Sequence, residues 1–198
     1  SRRFVPKERC TNPDTLSFIT ELLPSEDKVP LRNTIYTLSC VLLDRSDCDR
    51  KLAEKFKTEY GRTHNFVHKF AQVVLPEEFD LLGTVYQSFL TEGVKNSTGS
   101  YYTERSVAQE LLDSLEAKPG ASFLDPCCGS GTFLILAQEM GLKICGMDSD
   151  PIAVMIAKAN LILSGAKEYP DVRVIDFVNR WKSERRRFDF ALSLIHIS

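Results

Sequence analysis

Residues 122–134 read Ser-Phe-Leu-Asp-Pro-Cys-Cys-Gly-Ser-Gly-Thr-Phe-Leu, and this segment is the most informative about the fold. Its apolar start, Ser122–Leu124, predicts a short buried strand, and the residues from Thr132 to Met140 predict a helix. Between them lie Gly129 and Gly131, where the lack of a Cβ lets the backbone turn tightly and approach a ligand. The helix also presents free N–H groups at its N-terminus. We therefore expect a strand, a glycine turn and a helix that together form a binding site.

The chain after this turn alternates between strands and helices. Strands are predicted at Lys143–Met147, Val172–Ile175 and Phe188–Leu192, and a helix is predicted at Pro151–Leu163. This alternation is typical of right-handed βαβ units, whose strands form a parallel sheet. We expect an α/β fold with a partial, Rossmann-like parallel sheet that is preceded by an N-terminal helical region.

That first region, to about Leu75, has the pattern of packed helices. Apolar residues recur at helical spacing in residues 31–42. A second helix is expected to begin near Ser46–Asp47, whose side chains can cap it, and to end at Gly61. The region is expected to serve in packing, and no chemistry is assigned to it.

Two further helices are predicted between this region and the glycine turn. One opens at Pro76–Glu78 and carries an apolar stripe over residues 81–90. A polar, glycine-containing loop is expected at 93–100. The other helix is expected to be capped by Thr103 or Ser106.

Composition and charge exclude several classes of protein. The net charge is −2, so the chain lacks the overall basic character of a self-sufficient DNA-binding protein, and most DNA contacts are expected outside it. Basic clusters at Lys51–Lys57 and Arg185–Arg187 are interpreted as solvated surfaces. We expect neither a membrane span nor a signal peptide. The six cysteines lack zinc-ligand spacing, which indicates reduced thiols, no metal site and a cytoplasmic protein.

Three acidic residues follow the first three predicted strands: Asp125, Asp148 and Asp176. Ligands of open parallel sheets bind beyond the carboxyl ends of the strands, so these carboxylates are expected at one site. The glycine turn lacks the third glycine of a dinucleotide site, since Leu134 stands there, and no Gly-Lys-Ser/Thr sequence is present. These observations disfavour a nucleotide phosphate as the ligand of the turn.

The carboxylates favour a ligand with a cationic group and a ribose. Asp125, at the head of the turn, suits an α-amino group close to a sulfonium. Asp148 follows Gly131 at close to the roughly 20-residue spacing of an acid that binds ribose hydroxyls. S-adenosylmethionine is a nucleoside that carries both a free ribose diol and an amino acid, and it fits this description.

Four segments resemble adenine-specific DNA methyltransferases of restriction–modification systems. Residues 125–134 (DPCCGSGTFL) and 146–154 (GMDSDPIAV) are similar to the first two motifs of that family. Residues 99–113 (GSYYTERSVAQELLD) are similar to its Gly-x-Tyr-Tyr-Thr-Pro segment, although Glu104 replaces the proline, and residues 82–90 (LGTVYQSFL) are similar to the preceding helix. The resemblance implies the sheet of class I methyltransferases and S-adenosylmethionine-dependent methylation of adenine N6 in DNA.

The same resemblance implies roles for the residues around the methionine end of the cofactor. Tyr101, Tyr102 and Thr103 would line that end of the site. Asp125 would bind the amino group. The backbone of the turn, at Pro126, Gly129 and Gly131, would close over the ligand.

At the other end of the cofactor, the resemblance implies that Asp148 holds the ribose. Ser149, within the segment 149–152, would flank the adenine ring. Asp176 would accept a hydrogen bond from the adenine amino group, and Phe177 would lie beside the ring.

The family's catalytic Asn- or Asp-Pro-Pro-aromatic motif directly follows the fourth strand, but Leu194–Ser198 follow Ser193 here. No catalytic residue is therefore assigned. We expect a helical region at 1–75, an incomplete cofactor-binding core at 76–193 and an unrelated tail at 194–198. This polypeptide alone is expected to be inactive. The full-length enzyme is expected to bind double-stranded DNA through further C-terminal regions, with a specificity or restriction subunit or a fused nuclease as partner.

Three alternative functions stay open at this point. The same cofactor site serves RNA adenine or protein glutamine methyltransferases. A nicotinamide-dependent oxidoreductase is disfavoured by Leu134 and by the acid at the head of the turn. A non-catalytic module with a methyltransferase fold is the third alternative.

Overall fold

The computed structural model describes residues 14, 17, 18, 31–61, 75, 79–90, 103–180 and 187–193. Four helices of these ranges precede the sheet: α1 (Leu31–Arg45), α2 (Arg50–Tyr60), α3 (Leu81–Phe89) and α4 (Arg105–Asp113). The sheet region contains β1 (Ser122–Asp125), α5 (Thr132–Glu139), β2 (Lys143–Asp148), α6 (Pro151–Leu163), β3 (Val172–Val174), α7 (Phe177–Arg180) and β4 (Phe190–Ala191). None of the helices described here has the length and apolar character that crossing a bilayer requires.

The four described strands form one parallel sheet in the order β3-β2-β1-β4. Leu124 in the central strand β1 pairs with Cys145 of β2 on one side and with Ala191 of β4 on the other. The chain thus builds outward from β1 through β2 and β3, and then returns to the opposite side of β1. This reversal is a topological switch point, and ligands of such sheets bind there at the carboxyl ends of the strands. The expected α/β fold with a parallel sheet is confirmed.

Alternating residues of the central strands supply the two faces of the sheet. Phe123 of β1 joins the buried cluster under α4 and α5. Leu124, Cys145 and Met147 belong to a second cluster, against which Phe177 and two other partly buried residues pack. Alternation of this kind is the period-2 geometry of a β-strand.

Helix α6 lies between the sheet and the N-terminal helices, and it is buried on both sides. Val154, Ala157 and Leu161 join the cluster that covers the sheet. Met155, Ile156, Ala159 and Ile162 join the cluster formed with α1, α2 and α3. A helix that is apolar around its whole circumference is an interior helix, which explains the nearly unbroken apolar sequence of residues 151–163.

One ion pair, between the buried Lys158 and the exposed Glu59, also connects α6 to α2. Lys158 is only 7% exposed, and its Nζ lies 2.7 Å from Oε1 of Glu59. The hydroxyl of Tyr169 donates to the same carboxylate, and the ammonium of Lys158 lies 5.2 Å from the centre of the Tyr169 ring. A buried charge is stable only when it is paired in this way, so α2 and α6 stay in a defined register.

The start of α2 differs from the expected one. The helix begins at Arg50, and its cap is Asp49, whose carboxylate accepts from the backbone N–H of Lys51 at 2.8 Å. The expected cap at Ser46–Asp47 is wrong, because Ser46 terminates α1: it directly follows Arg45, and its N–H donates to the carbonyl of Leu42 at 2.9 Å. The end of α2 at Gly61 is confirmed.

The start of α4 also needs correction. Its N-cap position is Glu104, whose backbone is extended, and neither Thr103 nor Ser106 occupies that position. Ser106 is already inside the helix, and its hydroxyl donates to the carboxylate of Glu104 at 2.7 Å.

Helix α3 begins at Leu81 with Asp80 as its N-cap, and the expected opening at Pro76–Glu78 lies outside the described residues, as does the loop at 93–100. The third and fourth strands are shorter than expected. Strand β3 ends at Val174 and β4 begins at Phe190.

Candidate functional site

The three acidic residues stand at or near the carboxyl ends of three neighbouring strands. Asp125 ends β1, Asp148 ends β2, and Asp176 lies two residues after β3. Cys127 lies two residues after β1, close to all three. Burial of its thiol, and then the charges of Asp148, Asp125 and Asp176, raise the pKa of Cys127 to about 11. The structure therefore brings the three carboxylates to one edge of the sheet.

Asp148 holds the glycine turn in place. Its Oδ2 accepts a hydrogen bond of 2.8 Å from the N–H of Gly129, and its Oδ1 accepts one of 2.9 Å from the N–H of Asp150. The side chain is half-buried, and burial raises the pKa of Asp148 despite these hydrogen bonds. One carboxylate thus connects the end of β2 both to the turn after β1 and to the start of α6.

The backbone of the turn is also bonded to β2 and to itself. The N–H of Cys128 donates to the carbonyl of Met147 at 2.8 Å, and the N–H of Gly131 donates to the carbonyl of Cys128 at 2.8 Å. These hydrogen bonds restrict the conformation of the turn, because each one fixes the orientation of a planar peptide group.

The two glycines of the turn serve different purposes. Gly131 has φ +95°, and a Cβ there would lie 3.2 Å from the Cβ of Ala157, so glycine permits the close approach of the turn to α6. Gly129 has φ +53°, but a Cβ there would meet none of the described residues within 4 Å. The space above Gly129 is therefore open to a ligand, next to the carboxylate of Asp148.

Asp125 is almost completely enclosed, with 1% exposure. Burial raises the pKa of Asp125 to about 7, although hydrogen bonds from the hydroxyl of Ser193 and the N–H of Cys127 favour the charged form. Ser193 lies two residues after β4, so the carboxyl group connects β1 to the chain just beyond β4. A buried carboxyl group of this kind favours a cationic partner, which restores its charge.

A family model for N-6 DNA methylases matches residues 77–194, more than half of the chain. The chain belongs to the N-6 DNA methylase family.

Individual relatives agree with this membership. The chain is 34% identical over 142 residues to the type I restriction enzyme MjaIX methylase subunit of Methanocaldococcus jannaschii, covering 64% of this chain and 25% of that protein. It is 34% identical over 113 residues to the type II methyltransferase M.VspI of Vibrio sp. (strain 343), covering 54% and 28%. The chain thus spans about a quarter of the length of these relatives.

A solved structure shows the same fold. The modification subunit of a putative type I restriction enzyme from Vibrio vulnificus YJ016 superposes with a TM-score of 0.51 at 20% identity, covering 73% of this chain and 36% of that one. The match covers both the sheet region and part of the helices, because the sheet region alone is shorter than this coverage.

Several residues that the sequence predicts for the site lie on the same edge of the sheet. Pro126 is buried in the turn, and Ser149 is exposed at the end of β2. Thr103 is half-buried just before α4, whereas Tyr101 and Tyr102 lie outside the described residues.

The residues predicted for the adenine end have the following contacts in the structure. Asp176 is exposed, and its Oδ1 accepts from the N–H of Asn179 at 3.2 Å, so it caps α7. Phe177 packs against the sheet cluster around Met147. Ile152, expected beside the ring, packs against the N-terminal helices.

The sequence analysis did not predict the residues of α3 and α6 that form hydrogen bonds to the turn and to the start of α6. Asn160 of α6 donates to the carbonyl of Ser130, and Tyr86 of α3 donates to Asp150 at the start of α6. A usable signal existed, since Asn160 and Lys158 are the polar residues of an otherwise apolar helix. Buried polar side chains almost always have hydrogen-bond partners, so their presence predicts a contact even when the partner is unknown.

The raised pKa of Asp125 predicts how the stability of the protein depends on pH. The folded protein keeps the proton up to about pH 7, whereas the unfolded chain loses it near the ordinary value of 3.8. Across this window the folded state binds more protons, so the free energy of unfolding should fall as the pH rises and level off above about 7. Asp148 contributes in the same direction.

Urea unfolding at a series of pH values checks this prediction. Asp125→Asn, which mimics the protonated acid, should make the profile distinctly flatter than that of the unsubstituted protein. The exposed Asp113→Asn serves as the matched control and should leave the profile unchanged. An equally steep profile in the folded Asp125→Asn variant would show that Asp125 does not titrate in this window.

Proposed function

We propose that this chain forms the S-adenosylmethionine-binding part of an adenine-N6 DNA methyltransferase of the restriction–modification type. The observation that carries the proposal is the pair of carboxylates, Asp125 and Asp148, on either side of a glycine turn with open space at Gly129. The pair lies at the switch point of the sheet, where ligands of this architecture bind. Membership in the N-6 DNA methylase family supports the reaction class.

Asp125 is suited to bind the α-amino group of the cofactor. It is enclosed, and its neighbours supply only a backbone N–H and a hydroxyl as donors in the described structure. An ammonium group would convert a carboxyl group that burial keeps close to neutral into a paired carboxylate. The residue therefore favours this charged end of the ligand over a phosphate.

Asp148 is suited to bind the ribose hydroxyls. Each of its oxygens accepts one backbone N–H, and a carboxylate can accept about four hydrogen bonds in total. A third backbone N–H, that of Ser149, also favours the charged form, so the carboxylate keeps acceptor capacity for the ribose while it still holds the turn. Ser149, Asp176 and Phe177 are proposed to flank the adenine, and Tyr101–Thr103 to line the methionine end.

The buried Leu134 argues against a nicotinamide dinucleotide. Dinucleotide sites use a third glycine at this position to bring the helix close to the sheet. Here the Leu134 side chain fills that space, since its Cδ1 lies 2.5 Å from the position that a Cβ on Gly146 would take. The glycine that allows α5 to pack closely on the sheet is therefore Gly146 of β2, and not a third glycine on the helix.

The substrate is proposed to be adenine in double-stranded DNA, bound mainly through regions beyond this chain. When bound, the cofactor supplies an electrophilic methyl group on a sulfonium, and the chain's part is to hold that group in position. Partners are proposed to be the other subunits of a type I restriction enzyme, by analogy with the MjaIX methylase subunit.

Binding of S-adenosylhomocysteine to the 198-residue chain tests the cofactor site. Asp148→Ala should weaken binding by about tenfold to a few hundredfold, because the ribose hydrogen bonds are lost. Isothermal titration calorimetry measures the change, and thermal melting verifies that the variant is folded. Asp113→Ala removes an exposed carboxylate and should bind normally. Unchanged affinity in folded Asp148→Ala would remove this residue from the site.

Methyl transfer tests the acceptor. The full-length protein that carries this segment should transfer labelled methyl groups from S-adenosylmethionine to unmethylated DNA, and the hydrolysed product should contain N6-methyladenine. Asp125→Asn in that protein should raise the KM for the cofactor at neutral pH, because an amide cannot pair with the ammonium. Label on RNA or on protein glutamine, with none on DNA, would favour the alternative acceptors.

A further inference from the structure

Helix α3 lies outside the parallel sheet, yet it reaches the glycine turn through a buried amide. Asn160 of α6 is 6% exposed, and its Nδ2 donates both to the carbonyl of Ser130 at 3.0 Å and to Oδ1 of Asp80 at 2.7 Å. Asp80 is 1% exposed and is the N-cap of α3, where the same Oδ1 accepts from the N–H of Gly83 at 2.7 Å. The amide of Asn160 thus joins the middle of the turn to the start of α3.

The bond to Ser130 fixes one peptide group of the turn at both of its polar atoms. The peptide between Ser130 and Gly131 has its carbonyl bonded to Asn160 and its N–H bonded to the carbonyl of Cys128 at 2.8 Å. Because the peptide is planar, these two bonds determine its orientation, and with it the path of the backbone through both glycines.

A second connection runs from α3 to the other side of the turn. The hydroxyl of Tyr86 donates to Oδ2 of Asp150, the N-cap of α6. The N–H of Asp150 in turn donates to Asp148, which accepts from the N–H of Gly129. Asp80 and Tyr86 on one short helix therefore support Ser130 and Gly129, respectively.

We propose that Asn160 and Tyr86 are positioning residues, through which helix α3 sets the conformation of the cofactor turn. The proposal rests on the proposed function, since the turn must bind S-adenosylmethionine for its conformation to matter. The helix then serves the cofactor site as well as the packing of the N-terminal region.

Calorimetry with S-adenosylhomocysteine on the 198-residue chain tests the role of Asn160. Asn160→Asp keeps the size of the side chain but removes both amide N–H donors, so it should weaken binding by about three- to tenfold. Gln138→Ala is the matched control. Gln138 also donates an amide N–H to a backbone carbonyl of α6, that of Leu161 at 3.2 Å, but away from the turn, so its loss should leave binding unchanged.

The exchange variant Asp80→Asn/Asn160→Asp separates positioning from stability. It restores an amide–carboxylate hydrogen bond between the two positions but still offers no donor to the Ser130 carbonyl. The melting temperature should therefore recover toward that of the unsubstituted protein, while the affinity should stay as weak as in Asn160→Asp. Affinity that recovers together with the melting temperature would show a merely structural role and overturn the proposal.

Tyr86→Phe tests the second connection without a change in shape. It should weaken S-adenosylhomocysteine binding by about threefold. Tyr36→Phe loses a comparable hydroxyl bond, to the carbonyl of Gly61, and should bind normally. Normal binding by both Asn160→Asp and Tyr86→Phe would overturn the positioning role while leaving the cofactor site intact. Failure of the unsubstituted, folded protein to bind would instead overturn the proposed function, and the positioning role with it.

Discussion

The hydrogen bond from the N–H of Gly129 to the carboxylate of Asp148 is the interaction on which the rest of the site depends. It joins the turn after β1 to the end of β2, and so it fixes where Gly129 lies relative to the carboxylate of Asp148. Since the acceptor is charged and half-buried, this bond is stronger than one between neutral groups. The same carboxylate orients the start of α6, so the second strand, the turn and the helix form one unit.

The sandwiched position of α6 explains why a site at the edge of a sheet is coupled to helices that precede the sheet in sequence. One side of α6 covers the strands, and the other packs against α1, α2 and α3. Apolar packing alone would leave the helix free to shift along its axis, because dispersion and burial are not directional. The polar contacts of Lys158 with Glu59 and of Asn160 with Asp80 remove this freedom, since each requires a defined geometry.

How much the sequence could predict depends on the range of the contacts involved. The helix Pro151–Leu163 and the strand, turn and helix around Gly129 follow from local patterns, and they lie where the patterns placed them. The pairing of Asn160 with Asp80 spans 80 positions, and that of Tyr86 with Asp150 spans 64, so no local pattern contains them. Cap positions failed for a related reason: several polar side chains near a helix start can cap it, and the preceding helix decides which one is available.

We propose that Asp125 and Asp148 together bind the cofactor. A crystal structure of the chain with S-adenosylhomocysteine tests this proposal. We expect the amino nitrogen of the ligand at hydrogen-bond distance from the carboxylate of Asp125, about 2.7–3.2 Å, and the ribose hydroxyls at Asp148. The N–H of Gly129 should still contact Asp148 in that complex. A ligand seated elsewhere on the protein, with neither carboxylate in contact with it, would contradict the account.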